Sequence, residues 1–376
     1  MHDYSPNLFS HKNKNDFFKA VSISDIHFGK LDPEKEYNIL NEQFLKKIEN
    51  INFDVLCIAG DLFHKKELAN SDTIKYATLF VMKCEEICLS KNATLIIIDG
   101  TYEHDSNQLK IFHPLKIQSN CDIRIVEDIS FEYVKGYKIL CIPEKYGMGE
   151  KYYNDYLDQH YDLCFAHATY VGSIHGKNER NLNSRRDPVF NINDFDTCSG
   201  PILSGHVHTP KCYGKHFYYH GSPIRSQFGE EHEKGFYYTI TNKYTRMYYV
   251  HFEKIISDEY NTYYIDDYID NLEDCYKYIE TLKGDYIRLL CKKNSPNINL
   301  LKDFYKDNKK IKIESSYTYE RNLTDNDESK NIYDEYSFIF NKDLNEYDIL
   351  AMYINKNEND NVITGDEIKN VLNKLM

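Results

Sequence analysis

Hydrophobic and polar positions follow two different periods over residues 17–252. The short apolar runs FFKAVSIS, DVLCIAG and ATLIII have the length of buried strands, and positions 36–51 and 71–90 between them are apolar at helical spacing. Strands separated by helices of this length predict β-α-β units and a largely parallel inner sheet. Later runs, such as KGFYYTITNKYTRMYYVHF, alternate more and favour antiparallel or mixed strands. The predicted fold is therefore α/β, with a two-layered β-sandwich core flanked by helices over residues 1–252.

The pattern changes after Phe252. Helical spacing of apolar positions alternates there with short strand-like runs, which predicts a smaller α+β domain over residues 253–325. The expected elements are helices over 269–283 and 297–307 and strands over 285–292 and 309–319.

A polar segment, residues 326–342, is predicted to link this domain to a C-terminal helical segment, residues 343–376. The last helix, TGDEIKNVLNKLM, opens with Thr364 and Glu367 at the spacing of a capping box, and its apolar positions share one face. Two interpretations stay open: the helix docks on its own domain, or it binds a partner protein.

Composition narrows the class of protein. The chain of 376 residues has room for two or three domains, and its 41% hydrophobic and 28% charged residues are typical of globular proteins. No apolar run approaches the roughly 20 residues that a membrane helix needs, and the first residues lack the apolar region of a signal peptide. None of the ten cysteines forms a CxxC pair, and several lie in apolar strand-like runs, which indicates a reducing, intracellular and cytoplasmic setting without membrane attachment.

The net charge of −13 argues against a simple nucleic-acid binder, which would normally be basic. An acidic chain can still act on DNA if metal ions carry the positive charge or if a partner supplies the binding groove.

Aspartate, glutamate and histidine residues, all potential metal ligands, follow the ends of the predicted strands. In parallel α/β sheets ligands gather at the carboxyl ends of strands, so we expect these side chains to converge although they are far apart in the chain. They are Asp25 and His27 in DIH, Asp61 and His64 in GDLFH, Glu103, His104 and Asp105 in GTYEHD, His167 in DLCFAH, and His206 and His208 in GHVH.

This mixture of carboxylates and imidazoles suits a pair of metal ions, because carboxylates neutralise and bridge while neutral imidazoles complete the coordination shells. The DxH and HxH spacings place both side chains on one side of an extended segment. Each motif alone is weak, but several in order, each after a strand, predict a binuclear metal site.

Together, the motifs DIH, GDLFH, EHD, H and GHVH resemble the signature of the calcineurin-like metallophosphoesterases. Within that superfamily, DIHFG, GDLFH and the segment YYHGSPIRSQFGEEHEKGFY (218–237) resemble SbcD-type DNA double-strand-break repair nucleases, whose relatives include recombination endonuclease subunits of large phages. By position, the α+β unit that follows resembles the DNA-capping domain of that family.

The resemblance implies two divalent metal ions, most often Mn²⁺ in this branch, although the ligand types alone also admit Fe or Zn. It implies that His104 protonates the leaving oxygen and that Asp105 orients His104. The implied ligands are Asp25, His27 and His208 for the first ion, Asp61 for both ions, and His167 and His206 for the second.

One segment departs from the family pattern. Where the family has Gly-Asn-His-Asp, with the Asn amide on the second metal, this chain has Gly-Thr-Tyr-Glu-His-Asp. Glu103 is the expected replacement ligand; Thr101 or a water molecule are the alternatives.

Three further residues are candidates for contact with substrate. His64 is expected beside the site rather than as a ligand, or else only packing its loop. Ser222 and Arg225 either close the site and contact the phosphate backbone or belong to a structural turn.

The resemblance implies a nuclease that acts as an exonuclease on duplex ends and as an endonuclease on single strands. It also implies an SbcC-type coiled-coil ATPase partner that docks on the C-terminal helices, and a homodimer within a heterotetramer. Two rivals remain: a phosphoesterase of the same fold for nucleotides or phosphoproteins, and a non-catalytic scaffold.

Overall fold

The computed structural model describes residues 17–315, except 106, 146–147, 149, 171–188, 215 and 231. Seventeen strands lie in this part of the chain. They are β1 (Phe18–Ile23), β2 (Val55–Ala59), β3 (Thr94–Ile98), β4 (Asp122–Val126), β5 (Ser130–Val134), β6 (Tyr137–Ile142), β7 (Leu163–His167), β8 (Thr169–Tyr170), β9 (Val189–Phe190), β10 (Ile202–Gly205), β11 (Lys211–Tyr213), β12 (Phe217–Tyr219), β13 (Gly235–Asn242), β14 (Met247–Lys254), β15 (Tyr260–Tyr264), β16 (Tyr286–Cys291) and β17 (Ile311–Ser315).

The described helices lie mainly between the parallel strands. They are α1 (Pro33–Leu40), α2 (Lys46–Glu49), α3 (Asp72–Lys91), α4 (His113–Gln118), α5 (Glu150–Leu157), α6 (Leu272–Thr281) and α7 (Asn297–Phe304). A π-helical turn, Asn41–Leu45, joins α1 to α2, and 3₁₀ turns lie at Leu109–Phe112 and Ile192–Phe195.

Two six-stranded mixed sheets form the core of the structure. The first has the order β14-β13-β1-β2-β3-β4, with β1 to β4 parallel and β13 antiparallel to β1. The second has the order β11-β12-β10-β7-β6-β5, with β6, β7, β10 and β12 parallel. The predicted α/β fold with a two-layered sandwich is confirmed.

Successive side chains along a strand alternate between the core that joins the two sheets and the core that joins a sheet to its helices. On β2, Val55 and Cys57 belong to the apolar cluster that also takes in Ile139 and Phe165 of the second sheet. Their neighbour Leu56 faces the other way, into the cluster formed with the helices, because successive strand residues point to opposite sides of a sheet. Runs such as DVLCIAG are apolar throughout because both faces of the sheet are covered.

The parallel strands place the candidate residues at one edge of the sandwich. Asp25, Asp61 and the segment from Gly100 follow β1, β2 and β3 of the first sheet. In the second sheet His167 ends β7 and His206 follows β10. Residues from both sheets therefore come together at carboxyl ends of strands, as the sequence predicted.

The chain divides into two compact units. The first holds the described residues through Thr262 together with Lys283–Ile287, and the second holds Tyr263–Leu282 and the described residues from Arg288. Strands β15, β16 and β17 form a three-stranded sheet with β16 in the middle. The second unit buries its own apolar residues, including Ile269, Leu289 and Leu301.

The elements predicted after Phe252 agree with α6, β16, α7 and β17. The predicted domain boundaries stay predictions, and the polar linker 326–342 and the C-terminal segment 343–376 lie outside the described residues. Among the described residues, no helix is both long enough and apolar enough to cross a membrane. All ten cysteines are in the described part of the chain and carry free thiols.

Candidate metal centre

The backbone turns sharply where the candidate residues follow their strands. Asp25, His27, Asp61 and His206 have positive φ angles of 53°, 54°, 52° and 87°, a region that residues other than glycine rarely adopt. Such conformations each cost on the order of 1–3 kcal/mol and persist at functional sites where the surroundings impose them.

Two glycines let the chain approach the candidate His167. A Cβ atom on Gly60 would lie 2.2 Å from Nδ1 of His167, and one on Gly205 would lie 2.6 Å from the same atom and 1.9 Å from Oγ of Ser24. No side chain fits in that space, so close packing requires glycine before both Asp61 and His206, and the positive φ of 86° favours glycine at Gly60 as well.

Asp25, His27 and His208 form a first group of ligand atoms. Nε2 of His27 lies 2.9 Å from Nε2 of His208, and the latter atom lies 3.9 Å from Oδ1 of Asp25. The backbone N–H of His206 donates to Asp25 at 2.9 Å and fixes the carboxylate. Burial lowers the pKa of His27 to about 3, so its imidazole is neutral, the form that binds metal.

Glu144, His167 and His206 form a second group. Oε2 of Glu144 lies 3.1 Å from Nδ1 of His206 and 3.6 Å from Nε2 of His167. Nδ1 of His167 lies 2.9 Å from the carbonyl oxygen of Ala59, to which its N–H donates, so Nε2 faces the carboxylates.

Asp61 connects the two groups. Its Oδ2 atom lies 3.6 Å from Nε2 of His27 and 3.4 Å from Nε2 of His167. Burial disfavours both charges, but mutual attraction holds the pKa of Asp61 well below its usual range and raises that of His167. A buried carboxylate between imidazoles of both groups is the arrangement that a bridging ligand requires.

His104 lies at the rim of the same cluster. Its Nε2 atom is 3.9 Å from Oδ2 of Asp61, and its side chain is half-buried. Its ring stacks on that of His64 at 5.8 Å, and both rings lie near His27. His64, His104 and His27 also form a group whose ligand atoms could hold a metal ion, so the role of His64 as a neighbour rather than a ligand stays a prediction.

The expectation that Asp105 orients His104 needs correction. The buried carboxylate of Asp105 accepts hydrogen bonds from the backbone N–H groups of Leu62 at 3.2 Å, Phe63 at 3.0 Å and Gly100 at 3.1 Å. The ring of His104 is held instead through Nδ1, which donates to the carbonyl oxygen of His64. Asp105 therefore fixes the loop after β2, and the backbone of that loop orients His104.

Glu103 also differs from expectation. It is exposed, and the ligand groups of the described residues do not include it. Thr101, the weaker alternative, does enter the site: its N–H donates to Oδ1 of Asp61 at 2.6 Å, and its hydroxyl lies 3.0 Å from Oε2 of Glu144. The Gly-Thr-Tyr-Glu segment turns Glu103 outward, and Glu144 from β6 supplies the nearby carboxylate.

Ser222 contacts the loop of His208, and Arg225 contacts the segment that precedes β13. The buried hydroxyl of Ser222 accepts a hydrogen bond from Nζ of Lys234 at 2.6 Å, and its N–H donates to the carbonyl of His208 at 3.3 Å. Arg225 donates to the carbonyl of His232 at 3.3 Å. These contacts fit a structural turn, but Nε of Arg225 is buried without a hydrogen-bond partner among the described residues, and the two interpretations both stay predictions.

Glu230 is a second carboxylate that the sequence reasoning missed. Its Oε1 atom lies 3.8 Å from Nδ1 of His208, and Lys234 approaches the carboxylate at 3.5 Å. A carboxylate behind an imidazole fixes the ring orientation and raises its basicity as a ligand. Both missed residues left a sequence signal: Glu144 stands two positions after a buried strand, and Glu230 lies in GSPIRSQFGEE, quoted only for its resemblance.

The donor set fits divalent metal ions. Three buried carboxylates, Asp25, Asp61 and Glu144, lie close together beside imidazoles, and burial of so much negative charge is costly unless positive charge is present. Carboxylate oxygens mixed with imidazole nitrogens suit Mn²⁺, Fe²⁺ or Zn²⁺.

Comparison with known proteins agrees with a phosphoester-cleaving class. The chain is 23% identical over 235 residues, 60% of its length and 76% of the relative's, to "Putative phosphoesterase 244L" of Invertebrate iridescent virus 6. No protein-family model matches the chain. One crystal structure aligns with 63% of this chain and 99% of its own at 11% identity and a TM-score of 0.35. The similarity and the ligand clusters together support a phosphoesterase-like hydrolase that binds metal.

Proposed function

We propose that this protein is a di-metal DNA nuclease of the SbcD type, which hydrolyses phosphodiesters with water. The observation that carries the proposal is the position of Asp61, whose Oδ2 atom lies within 4 Å of imidazole nitrogens of His27, His104 and His167. One carboxylate thus faces both ligand groups and the proposed general acid.

The proposed ligands divide as the clusters do. Asp25, His27 and His208 would hold the first ion, most favourably Mn²⁺, Asp61 would bridge, and His167 and His206 would hold the second. When bound, the two ions supply Lewis-acid stabilisation of the phosphate and bring the pKa of a water molecule near neutrality.

His104 is the proposed general acid. Because its Nδ1–H is donated to the backbone of His64, proton exchange takes place at Nε2, the atom nearest Asp61. A proton given to the leaving oxygen from that position contributes typically about 10²–10⁴-fold to the rate.

The resemblance of the motifs DIHFG and GDLFH and of residues 218–237 to SbcD-type nucleases favours DNA as the substrate. The last of these supplies Glu230 and Lys234, which support His208. We also propose that an SbcC-type ATPase presents the DNA, since the chain itself is acidic, and that residues 343–376 dock on that partner.

The test is Mn²⁺-dependent cleavage of end-labelled single- and double-stranded DNA by the wild type and by His104→Gln. We expect the variant to lose at least about 100-fold in rate while it still binds metal and DNA, because only the proton transfer is removed. The matched control is His216→Gln, an exposed histidine paired with Tyr248 at 2.9 Å, which should cleave as the wild type does.

Cleavage of p-nitrophenyl esters and cyclic nucleotides without cleavage of DNA, even with the ATPase present, would overturn the nuclease proposal and select another phosphoesterase. Full DNA cleavage by His104→Gln would overturn the role of His104 alone. A folded wild type that binds no metal and cleaves none of these esters would favour the scaffold.

A further inference from the structure

Glu144 lies two residues beyond the end of β6, in the same position relative to its strand as Asp25 relative to β1 and Asp61 relative to β2. Strand β6 pairs in parallel with β7, which ends in His167, and β7 pairs with β10, which leads into His206. Three adjacent parallel strands of the second sheet therefore each deliver one potential ligand to the same edge.

The side chain of Glu144 is buried and only half satisfied. Its residue is 5% exposed, and Oε2 lies 3.0 Å from the hydroxyl of Thr101, 3.1 Å from His206 and 3.6 Å from His167. The other oxygen, Oε1, is buried and accepts no hydrogen bond from the residues that the structure describes. Buried carboxylate oxygens are normally paired, so an orphaned one beside two imidazoles points to a missing cation.

We propose that Glu144 is a ligand of the second metal ion, completing a set of Asp61, Glu144, His167 and His206. This inference rests on the proposed di-metal centre and adds a residue that the motifs do not contain. Thr101 is a positioning residue in this scheme, because its N–H and hydroxyl hold Asp61 and its hydroxyl also holds Glu144.

The carboxylate changes the charge balance of the second site. Because Asp61 is shared by both ions, Asp25, Asp61 and Glu144 together offset three of the four positive charges of two divalent ions, whereas without Glu144 only two are offset. The second ion is attracted more strongly by Glu144 than by a neutral ligand, because opposite charges interact strongly at ligand distance in a buried site. We therefore expect the second ion to be held about as tightly as the first, which likewise has one carboxylate of its own, Asp25, beside the shared Asp61.

The experiment is a calorimetric titration of the metal-free full chain with Mn²⁺, with EPR detection of free Mn²⁺ as a second count. The wild type is expected to bind two ions. Glu144→Gln, nearly isosteric but uncharged, is expected to keep the first ion and to bind the second at least about tenfold more weakly. Loss of a residue that only hydrogen-bonds to a metal ligand already lowers metal affinity by about 10–100-fold, and loss of a ligand should cost at least as much.

Glu103→Gln is the matched control, because Glu103 is the exposed carboxylate of the neighbouring segment. It should bind two ions with wild-type affinity. Loss of the second ion from Glu103→Gln but not from Glu144→Gln would overturn the proposal in favour of Glu103.

A purely structural role for Glu144 predicts a different result: a lower melting temperature of the metal-free Glu144→Gln chain with two ions still bound normally. That result would overturn the inference and leave the nuclease proposal standing, whereas a wild type that binds no ion would overturn both. If Glu144→Gln does not fold, Glu144→Ala, which removes the carboxylate, serves instead, and unchanged affinity for both ions would contradict the proposal.

Discussion

The left-handed backbone of the ligand residues is held by hydrogen bonds between the loops that follow β1 and β2. The N–H of Asp25 donates to the carbonyl of Gly60 at 3.1 Å, and that of His27 donates to the carbonyl of Asp61 at 3.0 Å. The pairing of the two strands thus continues beyond their ends and imposes the strained turns. Ligands placed in this way are preorganised, so metal binding need not order the loops.

Glu36 holds the next part of the same loop. Its two carboxylate oxygens accept from the N–H groups of Gly29 at 2.7 Å and Leu31 at 2.8 Å, directly after His27. Burial raises the pKa of Glu36 to about 7, although the backbone hydrogen bonds act to lower it. Ionisation of this side chain therefore opposes folding.

A dependence of stability on pH follows. A folded-state pKa above the unfolded value means that the stabilisation is fully present below the unfolded pKa and is lost as pH rises through about 7. For a shift of this size the loss is on the order of 3 kcal/mol, at about 1.4 kcal/mol for each pKa unit. We expect the free energy of unfolding of the wild type to fall relative to Glu36→Gln between pH 5 and pH 8, measured by denaturant titration.

The matched control is Glu34→Gln, an exposed position on the same helix turn, which should keep the wild-type pH dependence. An equal stability difference between wild type and Glu36→Gln at both pH values would contradict the role assigned to burial of Glu36.

Most candidate ligands could be predicted from the sequence, because DIH, GDLFH and GHVH each place two possible ligands close together directly after a predicted strand. Glu144 could not be recognised in the same way, since a single Glu after KILCIP has no local partner. The outward orientation of Glu103 could not be predicted from the neighbouring sequence either. It depends on how the segment after β3 turns around Asp61 through Thr101.

At the scale of elements, the apolar runs predicted β1, β2 and β3 and the helices between them. Strands buried on both faces and helices of one apolar face are the strongest signals a sequence carries. The pairing of β6 with β7 and β10 was not predictable in this detail, because it joins segments distant in the chain. That pairing is what delivers Glu144 to the site.

The end of α3 offers a test at this scale. Asn92 caps the helix in the left-handed conformation, with φ of 52° and ψ of 44°, and its N–H donates back to the last turn. We expect Asn92→Ala to lower the free energy of unfolding by about 1 kcal/mol, because a Cβ without a local polar partner is strained there. Asn92→Gly, which relieves that strain, should be at least as stable as Asn92→Ala.

Chemical denaturation of the three chains measures these differences. An Asn92→Ala chain as stable as the wild type, or a Gly variant less stable than the Ala variant, would show that the cap does not determine how α3 ends.

At the scale of the whole molecule, the net charge of −13 and the buried carboxylates have one common consequence. Under the proposed function, an acidic chain needs positive charge where the DNA phosphate must sit, and divalent ions held by these carboxylates would supply it there. The fold meets this requirement by bringing carboxyl ends of parallel strands from both sheets to one edge. The proposed function is thus placed by the sheet topology rather than by the overall charge.

The most direct measurement is the number of Mn²⁺ ions bound per chain at equilibrium, by elemental analysis and calorimetry, for the wild type and Asp61→Asn. We expect two ions for the wild type and none retained by Asp61→Asn, because Asp61 faces both ligand groups. A folded wild type that binds no ion, or an Asp61→Asn chain that keeps both, would contradict the proposed di-metal centre.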